Sequence, residues 1–494
     1  MKCAGASLRL ATLGLGALLL LAALPATGDD EGDLGGFEDD EGSSSLGGFD
    51  DFDEPATDDN DDPLVQDRWW DLDGSISISN DWNFRPHNSA APFPEGTSYL
   101  GLSRLRTRLN VQLDLELPWD FELRVSPYIW YDFTYLIRGI SNFTQQVIDK
   151  YEWEGDFQDS YIQGPLLDNL DIKIGRQVVN WGRSDSLRVL DILNPLDNRT
   201  PGRADIEDLR WAVGMLKLDY YVGPWTVTAV AIPEMRFDDL PAVGNDFNPS
   251  PIPLPPKNKP NNFRDWEFAG RIRGIFEGWD LSVQAAWYFE DIPRLACDPV
   301  PSPCNVVNEA RFNYDRLTQV GAGANYIWGS WLFKGEAAWL DGFQFSEVDL
   351  VVPGFGPVLI KTDRDKTSRF DGMLGVEYYG FSENTISIEA VNRYIFDHAD
   401  VVFGFPVFQR ENQTSYAIRW TADWRNARLQ TTVLAILFGW KVQDGAVIRL
   451  QANYTIRDGL VATVGVLLFD EGELPPLDTY GKNDRVFLDL KWSF

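Results

Sequence analysis

The sequence predicts an all-β fold, a transmembrane antiparallel β-barrel of about eighteen strands, with sixteen possible because the first strand and one short external connection are indistinct. Three observations carry this. Short alternating segments follow one another through most of the 494 residues, so that each stretch of about ten residues shows one apolar and one polar face, as a barrel wall requires. Beyond the N-terminal region no apolar run is long enough for a spanning helix. Short turns alternate with mostly longer connections, which is how a barrel with short periplasmic turns and long external loops reads.

The short turns are Pro118-Trp119-Asp120, Leu166 to Asn169, Gly223-Pro224, Glu277-Gly278, Gly329-Ser330, Ser382 to Asn384, Arg425 to Ala427 and Asp458-Gly459. Longer connections run from Arg138 to Gly155, Arg183 to Arg210, Met235 to Arg264, Ile292 to Ala310, Ser346 to Lys366, Asp397 to Glu411 and Glu471 to Asn483. The first strand, Ser75 to Phe84, and the short external connection at Asp444-Gly445 are the least distinct. Trp119, Trp225, Trp279 and Trp331 follow the short turns, where aromatic rings would meet lipid headgroups.

Period two assigns faces. Leu105, Leu109, Val111, Leu113 and Leu115 point to lipid and leave Arg104, Arg106, Arg108 and Asn110 in the lumen. Ile448, Leu450 and Ala452 likewise place Arg449, Gln451 and Asn453 inside. Flanking strands differ, because Val433 to Phe438 and Val461 to Phe469 put apolar side chains in the lumen whichever face is chosen.

The ends agree with an envelope protein. Lys2 and Arg9 precede an apolar run from Leu10 to Ala23, which reads as a signal peptide over residues 1–28. Residues 29–62 hold sixteen acids and no Lys or Arg, and read as a disordered periplasmic tail before a barrel of residues 63–494. Within the tail Leu34-Gly35-Gly36-Phe37 returns as Leu46-Gly47-Gly48-Phe49. This is either a solvated repeat or a pair of docking motifs, centred on Phe37 and Phe49, for a periplasmic or inner-membrane transport component. The final alternating strand ends on Trp492-Ser493-Phe494. It resembles the signal by which outer-membrane barrels are handed to their insertion machinery. Outer-membrane lipids and that machinery are the expected partners, and the net charge of −32 disfavours nucleic acid.

Little chemistry is in prospect. Cys297 and Cys304 in an external loop are expected to form a disulfide, and no third soft ligand suggests a metal. No cofactor and no catalytic residues are expected. His398, within Asp397-His398-Ala399-Asp400, is the one rim position from which a hydrolase could work, but no nucleophile is nominated.

The densest information lies from Gly175 to Arg210. An external loop has no reason to carry Leu187, Val189, Leu190, Ile192 and Leu193 together, and the lumen is the nearest place to bury them. Arg176, Trp181, Arg183, Arg188, Leu190, Leu193 and Arg199 are therefore the candidate constriction residues. Arg176 and Arg188 could hold an anionic headgroup, or could pair with lumen acids. The Gly-Arg-Gln-x-Val-x-Trp-Gly run at Gly175 to Gly182, the Asn194-Pro195-Leu196-Asp197 step and Asp205-Ile206-Glu207-Asp208-Leu209 resemble an outer-membrane family catalogued as domain of unknown function 1302. Such a resemblance implies a barrel from about Asp73 to Phe494 and an association with export of hydrophobic compounds. The expected function is a bacterial outer-membrane channel or transporter for hydrophobic or amphipathic compounds, in export or uptake. The rivals are a porin or exporter for polar or anionic solutes or polysaccharide, the rim hydrolase, and an assembly protein anchored by its barrel.

Overall fold

A chain that alternates apolar and polar residues cannot satisfy its backbone in lipid unless every strand edge is paired, so the sheet must close on itself. The computed structural model describes residues 68–85, 98–248, 256–298, 300–305, 309–352, 356–361, 366–398, 402–404, 407–408, 410–473 and 477–494. It shows that closure. Eighteen antiparallel wall strands run in chain order: β1 (Trp70–Asn83), β2 (Gly101–Leu117), β3 (Phe121–Val125 and Pro127–Asp132), β4 (Trp153–Phe157 and Ser160–Leu167), β5 (Leu170–Gln177) and β6 (Val213–Val222). They continue with β7 (Trp225–Ile232), β8 (Glu267–Phe276), β9 (Trp279–Phe289), β10 (Arg316–Trp328), β11 (Trp331–Phe343) and β12 (Thr367–Phe381). The last six are β13 (Asn384–Ile395), β14 (Asn412–Trp424), β15 (Leu429–Phe438), β16 (Ala446–Arg457), β17 (Leu460–Asp470) and β18 (Arg485–Ser493).

All eight short turns fall where the sequence places them. The first strand starts earlier than expected, at Trp70 rather than Ser75, because Trp70 to Gly74 pair with Leu115 to Val111 of β2. Trp119 lies inside its turn rather than after it, at a positive φ of 68°, and is the most exposed of the four tryptophans. Trp225, Trp279 and Trp331 open β7, β9 and β11 and pack on Phe276 and Tyr378 at ring distances of 4.3–5.4 Å.

Burial is inverted relative to a water-soluble protein. Leu374, Val464, Leu488, Trp492 and Phe494 are exposed on the outer wall, while Gln319, Glu336, Glu389, Arg449 and Asp489 are buried within. The lumen face of β2 carries Arg104, Arg106 and Arg108, and that of β16 carries Arg449 and Gln451, as period two requires. On β15 and β17, Leu434, Leu467 and Phe469 do face inward and are buried.

Closure is made by β1 and β18, in register from Ser75↔Ser493 to Asn83↔Arg485. The terminal residue seals it: the Phe494 N–H donates to Gly74 O and the Gly74 N–H to Phe494 O, each at 2.9 Å. A Cβ on Gly74 would stand 2.6 Å from the Phe494 ring, so a larger residue there would make the ring shift. In the external loops Cys297 and Cys304 form a disulfide, and Cys304 packs with Leu295, Ala310, Phe312 and Ile360. The signal-peptide and acidic-tail segments, with Phe37 and Phe49, lie outside the described residues.

The seam yields a prediction. Deleting Phe494 removes two ladder bonds and the ring over Gly74, so the amount of heat-modifiable, assembled barrel in the membrane fraction should fall several-fold while secretion is spared. Parental levels of assembled protein at native expression would contradict the role given to this residue.

Candidate functional site: a strap across the lumen

The connection between β5 and β6 does not project from the barrel. It turns inward as a strap, residues 178–212, and its shape follows from a few buried groups. Asn194 is fully buried and joins both legs: its Oδ1 accepts the Val179 N–H at 2.8 Å, and its Nδ2 donates to Gln177 O at 3.1 Å and Trp211 O at 2.8 Å. The Trp211 N–H donates to Pro195 O and the Asp197 N–H to Leu209 O. Gly175, at the root, holds φ +134°, and a Cβ there would stand 2.4 Å from Ser160 O, which explains the glycine that opens the motif.

The tip, residues 183–191, lies against the wall formed by β9, β10, β11 and β13. Glu336 of β11 accepts the N–H groups of Arg183, Ser184 (3.2 Å) and Leu190 (2.9 Å). Glu389 of β13 accepts the N–H groups of Asp185 (2.9 Å) and Ser186 (3.2 Å) and the Ser184 hydroxyl at 2.7 Å. Gln284 and Gln319 donate to the carbonyls of Leu190 and Val189 at 2.7 and 3.0 Å. Leu190 seats on Gly321 and Gly323 of β10.

The base of the strap reaches the opposite wall. Arg199 is held by Asp197 (2.6 Å), Glu154 of β4 (2.5 Å) and Asp239 (3.4 Å). Arg203 binds Asp489 of β18 at 2.6 Å and Asp81 of β1 at 3.1 Å. Asp205 is gripped by Arg419 of β14 and Arg449 of β16. Burial alone would push the Asp197 carboxyl up, but the Arg199 guanidinium holds it down at about 2. The strap thus spans from the β9–β13 wall to the wall running from β14 through β18 and β1 to β4.

A second loop, residues 233–248, covers it. Asp238 accepts the Leu196 N–H at 2.7 Å and the Asn198 amide at 2.8 Å. Asp246 pairs with Arg485 at 2.8 Å, and Phe247 packs among Val447, Leu467, Phe469 and Tyr480.

Strap contacts coincide with a change in wall polarity. Toward the periplasmic turns the lumen faces of β6, β9 and β11 carry Lys217 and Asp219, Ser282 and Gln284, Lys334 and Glu336. Toward the outside the same faces carry Val213 and Met215, Ala286 and Tyr288, Ala338 and Leu340. The outer, apolar half packs on Val189 and Leu190 in one cluster and on Val179, Trp181 and Leu193 in another. Arg369, Asp371 and Arg393 on β12 and β13 interrupt the apolar half as ion pairs.

A family model described as a protein of unknown function, DUF1302, matches residues 12–494. The chain belongs to the DUF1302 family. None of the curated proteins is a detectable relative. Among solved structures, the DUF1302 chain is similar to Acinetobacter baumannii OccAB1 at 11% identity, with 86% of this chain and 96% of that one covered and a TM-score of 0.49. The outer membrane protein OpdK from Pseudomonas aeruginosa gives 10%, 86%, 99% and 0.47, and Salmonella typhi OmpF 9%, 86%, 97% and 0.40. This is a likeness of barrel architecture, and no cargo is taken from it.

The DUF1302 residues singled out from sequence fall into two groups. Trp181, Leu190 and Leu193 are buried and Arg183 and Arg199 ion-paired, all within the strap. Arg176 and Arg188 are engaged by the protein itself, Arg176 by Asp156 and Glu234 and Arg188 by Asp191 at 3.2 Å and the Asn194 carbonyl at 2.8 Å. That is the salt-bridge alternative, and it leaves neither guanidinium waiting for a headgroup. Arg104 and Arg106 face Asp81 and Asp132 at 3.8 and 3.6 Å, and Arg108 lies over the Tyr128 ring at 4.2 Å. His398 sits beyond the external end of β13, beside Asp397.

Glu336, Glu389, Gln284 and Gln319 were not nominated from sequence. Their only signal was a carboxylate or amide at a lumen-facing position of a wall strand, as in Ile388-Glu389-Ala390.

The seat of Leu190 is testable. A Cβ on Gly321 would lie 2.4 Å from Leu190 Cδ2 and 2.9 Å from Ala337 O. Gly321→Val should therefore destabilise the folded barrel by about 1–3 kcal/mol through overpacking, measured by denaturant unfolding in detergent micelles. An unchanged midpoint would mean that the strap does not press on β10.

Proposed function

We propose that the protein is a bacterial outer-membrane channel, delivered by its signal peptide and closed at rest by its own strap, that passes hydrophobic or amphipathic compounds rather than catalysing a reaction. One observation carries this reading. Along β6, β9 and β11 the strap lies where a polar periplasmic part of the lumen wall meets an apolar outer part, so a molecule crossing there exchanges charged surroundings for greasy ones. Asp81, Arg104, Arg106, Asp132 and Arg485 keep the outer part of β18 to β3 charged. An amphipathic solute can satisfy both, with its apolar part against Leu340, Tyr288 and the strap leucines. Burying a large apolar side chain contributes roughly 1.5–3 kcal/mol, and comparable contacts would favour such a cargo over a fully hydrated one.

The row of arginines on β2 would otherwise favour a pore for anionic polymers. Its members are already committed to Asp81, Asp132 and the rings of Trp130 and Tyr128, so it offers a polyanion little free charge. The lipid bilayer and the barrel-insertion machinery are the partners this reading requires. Residues 29–62 are proposed as the tether to a periplasmic or inner-membrane component of the same export or uptake system.

Removing the closure tests the function. Deleting Leu187 to Asp197 should raise single-channel conductance in a planar bilayer severalfold and loosen selectivity, with heat-modifiable migration retained. Conductance equal to that of the parent would place the strap outside the conducting path. Gently extracted protein that carried lipid-like molecules by mass spectrometry would support the cargo class, whereas an empty barrel with high ionic conductance would favour a general porin.

A further inference from the structure

The ring of strands is closed, but its rim is not level. Each strand is laddered to both neighbours, yet the ladder between β4 and β5 stops at Ser160↔Arg176 and that between β5 and β6 at Gln177↔Val213. There β5 leaves the wall for the strap, while β4 climbs on. Its outer segment, Trp153–Phe157, is laddered to β3 from Pro127↔Phe157 to Tyr131↔Trp153, and among the described residues no strand pairs with its other side. The ladder between β6 and β7 ends at Leu216↔Ala231. The wall therefore has a gap between the outer segment of β4 and the outer ends of β6 and β7.

Side chains fill this gap. Arg176 stretches across it from Asp156 of β4 to Glu234 beyond β7, 2.6 Å from the latter. Arg236 joins Asp156 at 2.8 Å and the Ala212 carbonyl at 3.0 Å, and Glu234 accepts the Gly214 N–H at 2.7 Å. Behind these groups stands Trp211, packed with Tyr128 and Trp130 of β3 and capped by Arg236 at 4.8 Å. In front of them the wall is greasy: Trp153, Phe157 and Ile174 point outward and are 61%, 48% and 47% exposed. The outer face beside the gap is also hollowed. Below Gly214 a cavity of about 460 Å³, lined by Leu216, Leu218, Ala231, Phe268, Gly270 and Trp287, has room for a hydrocarbon chain.

A ladder in lipid cannot part without stranding backbone N–H and C=O groups. Ion pairs part by rotation of side chains, so the wall can open here without breaking the sheet. When Arg176 turns away, Asp156 keeps Arg236 and Glu234 keeps the Gly214 N–H, and neither acid is left alone. We propose that the gap is a side port, barred by Arg176, through which the apolar part of an amphipathic cargo passes between the lumen at Trp211 and the outer leaflet, along the hollow below Gly214. This inference rests on the channel reading and adds the route. An axial path would lead such a cargo into water, whereas the side port connects the lumen to a medium that matches its apolar part.

The test uses full-length protein in phospholipid vesicles, irradiated with a diazirine-bearing palmitic acid, with the labelled residues mapped by mass spectrometry. Gly155 faces outward at the centre of Trp153–Phe157, and a Cβ there has Tyr128 O at 3.5 Å and Ile129 at 3.8 Å as nearest neighbours, both on the β3 side. An indole at this position can lie over the gap without touching the ion pairs. The parent should carry label at Trp211 and Tyr128 as well as at Trp287 on the outer wall. Gly155→Trp should lower the label at Trp211 and Tyr128 several-fold, Arg176→Ala should raise it, and the label at Trp287 should not change. Heat-modifiable migration checks assembly, and either variant decides alone if the other does not assemble. Equal label at Trp211 in the parent and in Gly155→Trp, or label confined to the outer wall even in Arg176→Ala, overturns the port. Strap-deleted protein separates the two failures: if it conducts ions while the variants leave the label at Trp211 unchanged, the channel reading stands and the port alone falls. If it does not conduct, both fall.

Discussion

Every backbone polar group in this molecule that is cut off from water has to find a partner within the protein, and most of the architecture follows from that constraint. The wall meets it by closing: eighteen strands leave no edge, and the last open pair is sealed by reciprocal bonds between Gly74 and Phe494. The strap cannot meet it that way, because it enters the lumen as irregular chain. Its N–H groups and carbonyls are satisfied one at a time by side chains projecting from the wall, notably Glu336, Glu389, Gln284 and Gln319, and by the amide of Asn194 between its own legs. A buried loop without such partners would cost more than its leucines return.

The lumen is consequently not a uniform hydrophobic tube. On β6, β9 and β11 the wall is polar where it grips irregular backbone and apolar where it buries Val189, Leu190 and Leu193. The arginines serve mainly to neutralise the acids that this arrangement puts inside. Arg199, with three carboxylate partners, and Arg203, with two, tie the strap to both the early and the late strands. Removing either would strand buried carboxylates, the expensive way to break a buried pair.

Topology was the most legible part of the sequence, because two-residue turns such as Gly223-Pro224 and Glu277-Gly278 are local signals and alternation is a strong one. The inward course of the strap was legible too, since Leu187 to Leu193 had nowhere else to go. The residues that receive it were not. Glu336 lies about 150 positions from the backbone it holds, and nothing in a local window distinguishes a carboxylate that accepts three N–H groups from one that lines a wet pore. The same limit hid the entry of Phe247, which meets Phe469 and Tyr480 more than two hundred residues away. Arg176 and Arg188 were conspicuous as charges in an apolar context, but their acids, Glu234 and Asp156 for one and Asp191 for the other, only become neighbours once the chain has turned.

The central claim is that the strap closes the lumen from within, and solvent access at its tip tests this most directly. In a Leu190→Cys variant that retains the Cys297–Cys304 bridge, the new thiol should resist a membrane-impermeant maleimide applied at neutral pH to protein in reconstituted vesicles, whichever side the reagent is added. Rapid and complete labelling of that thiol from the outside would show the tip to be an external loop, and would contradict the account.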